Sequence, residues 1–300
     1  MGRTAMKWLL ALIITGAIGV GIWSQVPKDE ERTLPRNIMN MIGENGNVGL
    51  LKKLNAEWTM PDDYAHEVFE VDGIAMEWVQ PRGGKPDKAV LQLHGGAYNR
   101  SLEVNGATYR RAAVKYAEIS GAGVLTVDYR VAPEHPYPAA LEDALLAYNW
   151  LLGQGYGPED IIVAGDSAGG GLTLATALYL RDHDMPLPAG LITMSAWTNL
   201  DYRRWVPPYV GEDRADNPYI SPVYGEYDGF PPMLMQVGGD EALLGDTVRV
   251  AAKAKKAGAD VTRTTYDGMF HVFQMLFPEL EEANEAWEEV KAFIDKIFSS

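Results

Sequence analysis

Val163-Ala164-Gly165-Asp166-Ser167-Ala168-Gly169-Gly170-Gly171 decides the reading of this chain. It sets Ser167 inside Gly-x-Ser-x-Gly, after the apolar run Ile161-Ile162-Val163 and before the helix-like Leu172-Thr173-Leu174-Ala175-Thr176-Ala177. Strand, sharp turn and helix are the context in which a serine hydroxyl is lifted clear of a sheet and held at a helix N-terminus. Such a turn tolerates almost no side chain beside the serine, a demand that Gly165 and Gly169 meet. Glycine makes up 31 of 300 residues, so the five-residue pattern alone is weak. Its partners decide.

The first partner lies upstream. Lys88-Ala89-Val90-Leu91-Gln92-Leu93 reads as a buried strand running into His94-Gly95-Gly96-Ala97-Tyr98. A glycine pair at a strand's end frees backbone N–H groups to point into a cavity, which an oxyanion hole requires. The expected donors are the amides of Gly95, Gly96 and Ala168. His94 reads as structural, holding the loop by hydrogen bonds.

The acid and base are sought downstream. The strand Pro232-Met233-Leu234-Met235-Gln236-Val237 ends in Gly238-Gly239-Asp240-Glu241. Asp240, in the loop at the strand's end, is the favoured acid, with Asp246 and Glu241 as alternatives. Asp246 directly precedes the helix-like Thr247-Val248-Arg249-Val250-Ala251-Ala252-Lys253, so an N-cap role accounts for it. Five histidines make the base easy to choose. His271 follows the strand Val261-Thr262-Arg263-Thr264-Thr265-Tyr266 and the turn Asp267-Gly268-Met269-Phe270, and stands before the last helix. His66 and His183 read as surface residues, and His135, in a proline-rich run, as a packed loop residue.

Three motifs in this order resemble the hormone-sensitive lipase family of α/β-hydrolases, in particular its bacterial carboxylesterases and lactone hydrolases. They are His94-Gly95-Gly96-Ala97, Asp128-Tyr129-Arg130-Val131-Ala132-Pro133-Glu134-His135-Pro136 and Gly165-Asp166-Ser167-Ala168-Gly169-Gly170. The resemblance runs from about residue 66 to the C-terminus. It implies a cofactor-free serine esterase with the triad Ser167, Asp240 and His271, and an N-terminal helical cap from about Arg32 to Asp62. The chain departs from the family at Ala97, where a third glycine is usual. It also departs between Trp197 and Ser221, a shorter stretch than the usual insertion, carrying Arg203, Arg204, Trp205 and Tyr209. That loop is too short and too charged to build a long acyl groove, so short-chain esters are the expected substrates. Lactone or amide hydrolysis by the same groups is the alternative, as is, from another class, a non-catalytic binding protein on the same fold.

Composition agrees. Three hundred residues with 47% hydrophobic content can bury a full core. A net charge of −15 argues against nucleic acid as a partner. The absence of cysteine excludes disulfides, thiol nucleophiles and thiolate metal sites. No metal-ligand spacing or phosphate-binding loop is present, so no cofactor is expected. Strand-like runs near 66–72, 74–80, 88–93, 122–128, 160–164, 189–194, 232–237 and 260–266 alternate with helix-like runs near 104–119, 139–153, 168–182, 246–257 and 279–298. The pattern predicts an α/β-hydrolase fold: a mostly parallel central sheet with helices on both faces.

The N-terminus reads separately. Arg3 and Lys7 precede a charge-free run from Trp8 to Pro27, about 30 Å long as a helix and sufficient to cross a bilayer. Trp8 and Trp23 stand near its ends, and Lys28-Asp29-Glu30-Glu31 follows. The expected organisation is an anchor or signal peptide over 1–27, a linker and cap over 28–65, and a catalytic domain over 66–300 outside the cytoplasm. Cleavage near Ala17-Ile18-Gly19 is the competing reading.

Overall fold

The computed structural model describes residues 58–202, 205–276 and 280–299. The apolar run from Trp8 to Pro27, most of the expected cap, and Arg203 and Arg204 lie outside the described residues.

Eight strands form one sheet in the order β1-β2-β4-β3-β5-β6-β7-β8. β1 (Tyr64–Val71) and β2 (Ile74–Pro81) make an antiparallel hairpin. Its two-residue turn is Asp72-Gly73, both left-handed (φ 51° and 82°), the geometry that matches the twist of paired strands. β2 pairs antiparallel with β4 (Gly123–Val127), and every later pairing is parallel. The remaining strands are β3 (Ala89–Leu93), β5 (Ile161–Asp166), β6 (Gly190–Met194), β7 (Met233–Gly238) and β8 (Val261–Tyr266).

Strands β3 to β7 are buried throughout, as parallel strands covered on both faces must be. Their alternation splits the core in two. Val90, Ile162 and Ile192 face α1 (Leu102–Ser120) and α6 (Glu281–Phe298). Leu91, Val163 and Leu191 face α2 (Ala139–Gly153), α3 (Ser167–Asp182) and α4 (Leu244–Lys256). A short α5 (Phe273–Leu276) precedes α6. α6 buries Ala283, Ala286, Trp287, Val290, Phe293, Ile294 and Ile297 at helical spacing.

The topology fixes where a site can form. From β3 the chain crosses through α1 to β4, then returns over β3 through α2 to β5. β3 and β5 are therefore neighbours whose outgoing loops diverge, which opens a crevice beyond their carboxyl ends. His94 follows β3, Ser167 follows β5, Ser195 follows β6, Glu241 follows β7 and His271 follows β8, all at that end. Among the described residues no helix is long and apolar enough to cross a membrane.

Candidate active site

Ser167 closes β5 and opens α3 with φ 52°, a left-handed backbone at a residue that is not glycine. Such a conformation is costly and persists only where the surroundings impose it. A Cβ on Gly169 would lie inside contact distance of the Leu93 and His94 carbonyl oxygens, and one on Gly165 would strike the Gly169 carbonyl. The glycine spacing thus lets the α3 N-terminus press against the end of β3. The Trp197 amide donates to the Ser167 carbonyl (2.8 Å) and holds the turn from the β6 side.

His271 reaches this serine. Ser167 Oγ donates to His271 Nε2 at 2.9 Å, and His271 Nδ1 donates to Glu241 Oε1 at 3.1 Å. The Glu241 side chain is 1% exposed and that of His271 10%. The second oxygen, Glu241 Oε2, accepts from Ser195 Oγ (2.7 Å) and from the Gly238 amide (2.9 Å).

The carboxylate on the imidazole is therefore that of Glu241, and the expectation for Asp240 is corrected. The reason lies in the backbone. The amides of Gly239 and Asp240 donate to the carbonyls of Tyr266 and Met269 (both 2.8 Å), which ties the turn after β7 to β8 and its outgoing loop. Asp240 is turned into solvent, and the next residue faces the histidine. Asp246 has another task than the N-cap expected of it. It is buried in the first turn of α4, and its Oδ2 accepts from the amides of Thr198 and Asn199 (both 2.9 Å) while Arg249 pairs with Oδ1 (2.8 Å). It pins the loop after β6.

The oxyanion loop needs a second correction. The Gly95 amide is already engaged, donating to Tyr109 Oη (2.7 Å) and Asp166 Oδ1 (3.1 Å). It is unavailable to a substrate. Tyr109 in turn donates to Asp166 Oδ2 (3.2 Å). This clamp ties the loop to α1 and to the residue before the serine. The chain then swings through left-handed backbone at Gly96 (φ 118°), Ala97 (φ 56°) and Tyr98 (φ 57°). Among the described residues the amides of Gly96, Ala97 and Ala168 have no acceptor, so they form the candidate donor set. Burial pushes the Asp166 carboxyl up to about 6, opposed by the nearby His271 and by the bonds from Tyr109 and Gly95.

His94 is structural. Its ring stacks on Tyr129 (3.9 Å between centroids), its Nδ1 donates to the Gly95 carbonyl (2.8 Å), and Tyr129 Oη donates to the His94 carbonyl (2.5 Å). Burial pushes its imidazole down to about 4. Of the other histidines, His66 is half-buried against Glu77 (3.0 Å), while His183 and His135 are exposed. The packed role expected of His135 is not found.

Sequence reasoning missed Asp166, Tyr109 and Ser195. Asp166 and Tyr109 carried no signal as a pair, since 57 residues separate them. Among the described residues no cluster of three or more His, Cys, Asp or Glu could hold a metal ion. A groove lined by Phe69, Trp78, Trp150 and Tyr156 lies on the β1–β2 hairpin and contains none of the site residues.

The α/β-hydrolase fold family matches residues 90–207 and 201–275. An acetyl-hydrolase from Streptomyces hygroscopicus is 36% identical over 248 residues, covering 76% of this chain and 82% of that protein. The crystal structure of an esterase from the bacterial hormone-sensitive lipase family superposes with a TM-score of 0.78 at 30% identity, over 99% of this chain and 100% of that one. The esterase EstE5 soaked with p-nitrophenyl butyrate gives a TM-score of 0.75 at 33% identity, over 96% of this chain and 99% of its own. The chain belongs to the hormone-sensitive lipase family of α/β-hydrolases.

Proposed function

We propose that the chain is a serine carboxylesterase that hydrolyses short-chain carboxylic esters through an acyl-enzyme intermediate. One observation carries this: the unbroken line from Ser167 Oγ through His271 to Glu241, beside three amides that have no acceptor among the described residues. His271 Nε2 takes the hydroxyl proton as Ser167 Oγ attacks the ester carbonyl. Glu241 orients the ring and stabilises the imidazolium. The amides of Gly96, Ala97 and Ala168 receive the oxyanion. The tetrahedral intermediate collapses, and His271 gives its proton to the departing alkoxide. Water, deprotonated by the same histidine, then attacks the acyl ester and releases the acid.

Short acyl chains are favoured by two things. The relatives include an acetyl-hydrolase and an esterase soaked with a butyrate ester. Among the described residues, the loop after β6 also packs Tyr209 and Val210 into the core and leaves Glu212, Asp213 and Arg214 in solvent, where they add no apolar surface for a long chain. Each methylene adds about 0.8 kcal/mol only if it is buried. Activity on p-nitrophenyl esters from acetate to palmitate should peak at about C2 to C6. A maximum in kcat/KM at C12 or beyond, or no turnover of any ester together with no fluorophosphonate labelling, would overturn the reading.

We also infer that the uncharged run from Trp8 to Pro27 anchors the enzyme to a membrane with its catalytic domain outside the cytoplasm. The protein should then pellet with membranes and be released by detergent but not by salt. A mature N-terminus near Val20 on protein free in the periplasm or medium would favour a cleaved signal peptide instead.

A further inference from the structure

Ser195 is fully buried immediately after β6, with φ 53°. Its amide donates to the Gln236 carbonyl on β7 (2.8 Å). Its hydroxyl is used in both directions. It donates to Glu241 Oε2 (2.7 Å) and accepts from the Val272 amide (3.0 Å), the residue after His271. This hydroxyl thus touches the acid and the loop that carries the base, which belong to two different strand ends.

We infer that Ser195 is a positioning residue of the reaction, fixing through one hydroxyl the carboxylate of Glu241 and the loop that carries His271. The inference rests on the triad proposed above. Its physical basis is the length of glutamate. Compared with aspartate it has one more rotatable bond, so its carboxylate must be held by more contacts to present a fixed oxygen. Two donors on Oε2, the Ser195 hydroxyl and the Gly238 amide, leave Oε1 for the imidazole. Charge-assisted bonds of this kind are the strong ones, and a carboxylate turned by one of them holds its partner's tautomer. The Val272 bond adds the other half: the amide next to the histidine is fixed to the same oxygen atom.

The test is a double-mutant cycle on the full-length protein with p-nitrophenyl acetate. Ser195→Gly removes the hydroxyl while suiting the left-handed backbone, and Ser195→Ala removes it in the original conformation. Each should lower kcat and the fluorophosphonate inactivation rate by about 10- to 100-fold, with KM within about twofold. In a Glu241→Ala background, Ser195→Gly should cost clearly less than it does in the wild type, because one of the two groups it positions is gone and only the bond to the Val272 amide remains to be lost. A kcat within about twofold of wild type for Ser195→Gly, or a full additive loss in the Glu241→Ala background, would overturn the inference. Glu241→Ala with undiminished kcat would instead overturn the proposed triad, so the two failures are distinguishable.

Discussion

The nucleophile's turn and the loop that carries the acid stand at the same end of the sheet, after β5 and β7 with β6 between them, yet they are specified in different ways. At Ser167 the positions flanking the serine are closed by backbone contact: Gly165 meets Gly169, and Gly169 meets Leu93. The demand is steric and is written as the glycines of five consecutive residues, whichever backbone they meet. At Glu241 the placement is set by pairing across to another strand, through the bonds from Gly239 to Tyr266 and from Asp240 to Met269. Asp240 and Glu241 are chemically near-equivalent neighbours, and only the path of the loop selects between them. Steric motifs are therefore readable from a string, whereas placements made by partner loops are not.

The largest expected effect lies on the steric side. Ser167→Ala should abolish fluorophosphonate labelling and lower kcat by about 10⁴-fold or more, with an unchanged circular-dichroism spectrum. Retained esterase activity would break the assignment of the elbow altogether.

The next effect probes the acid loop. Glu241→Gln should lower kcat by about 10² to 10⁴-fold by favouring the wrong His271 tautomer. Asp240→Asn, at an exposed position, should stay within about twofold, the scale of a solvent-facing change. Measured with the same ester, the reverse ranking would mean that the loop takes another path in the working enzyme.

The smallest effect sharpens the comparison within the elbow itself, at Asp166. Its folded carboxyl sits near 6 against an ordinary 3.8, so the folded state binds more protons than the unfolded one between about 4 and 6. Its contribution to stability is therefore lost as pH rises through that window. His94, pushed down to about 4, has the opposite sign: the unfolded state binds more protons, and stability rises with pH over about 4 to 6.5. The two oppose each other at similar size, about 3 kcal/mol apiece. Asp166→Asn leaves His94 uncompensated. Its Tm should fall more steeply than that of wild type as pH drops from 6.5 to 4.5, while at pH 7 the variant is at least as stable. Parallel Tm profiles for the two proteins would rule out this balance.

Much of the fold was legible because its signals are periodic. Fully apolar runs such as Ile161-Ile162-Val163 mark strands buried on both faces. Ser167 and His271 followed from motif and order, and the structure brings them into hydrogen-bond contact. The acid and the first oxyanion donor did not follow. Which of two adjacent carboxylates faces His271 depends on bonds to the β8 loop, and whether the Gly95 amide is free depends on Tyr109, placed by α1. Both are decided by residues distant in sequence, where a linear pattern holds no information.

Seven non-glycine residues among those described have left-handed backbone, and five of them, Ala97, Tyr98, Ser167, Ser195 and Val272, stand at the reacting end of the sheet. Each such residue holds back about 1–3 kcal/mol of stability. Laboratory selection for heat resistance would thus find its cheapest gains among the positions that shape turnover. Glycine at any of the five would relax the chain and loosen the groups it aims. Thermostable variants that stay fast should instead carry their changes on the outer faces of α2, α4 and α6, where relaxed backbone leaves room to improve without blunting the site.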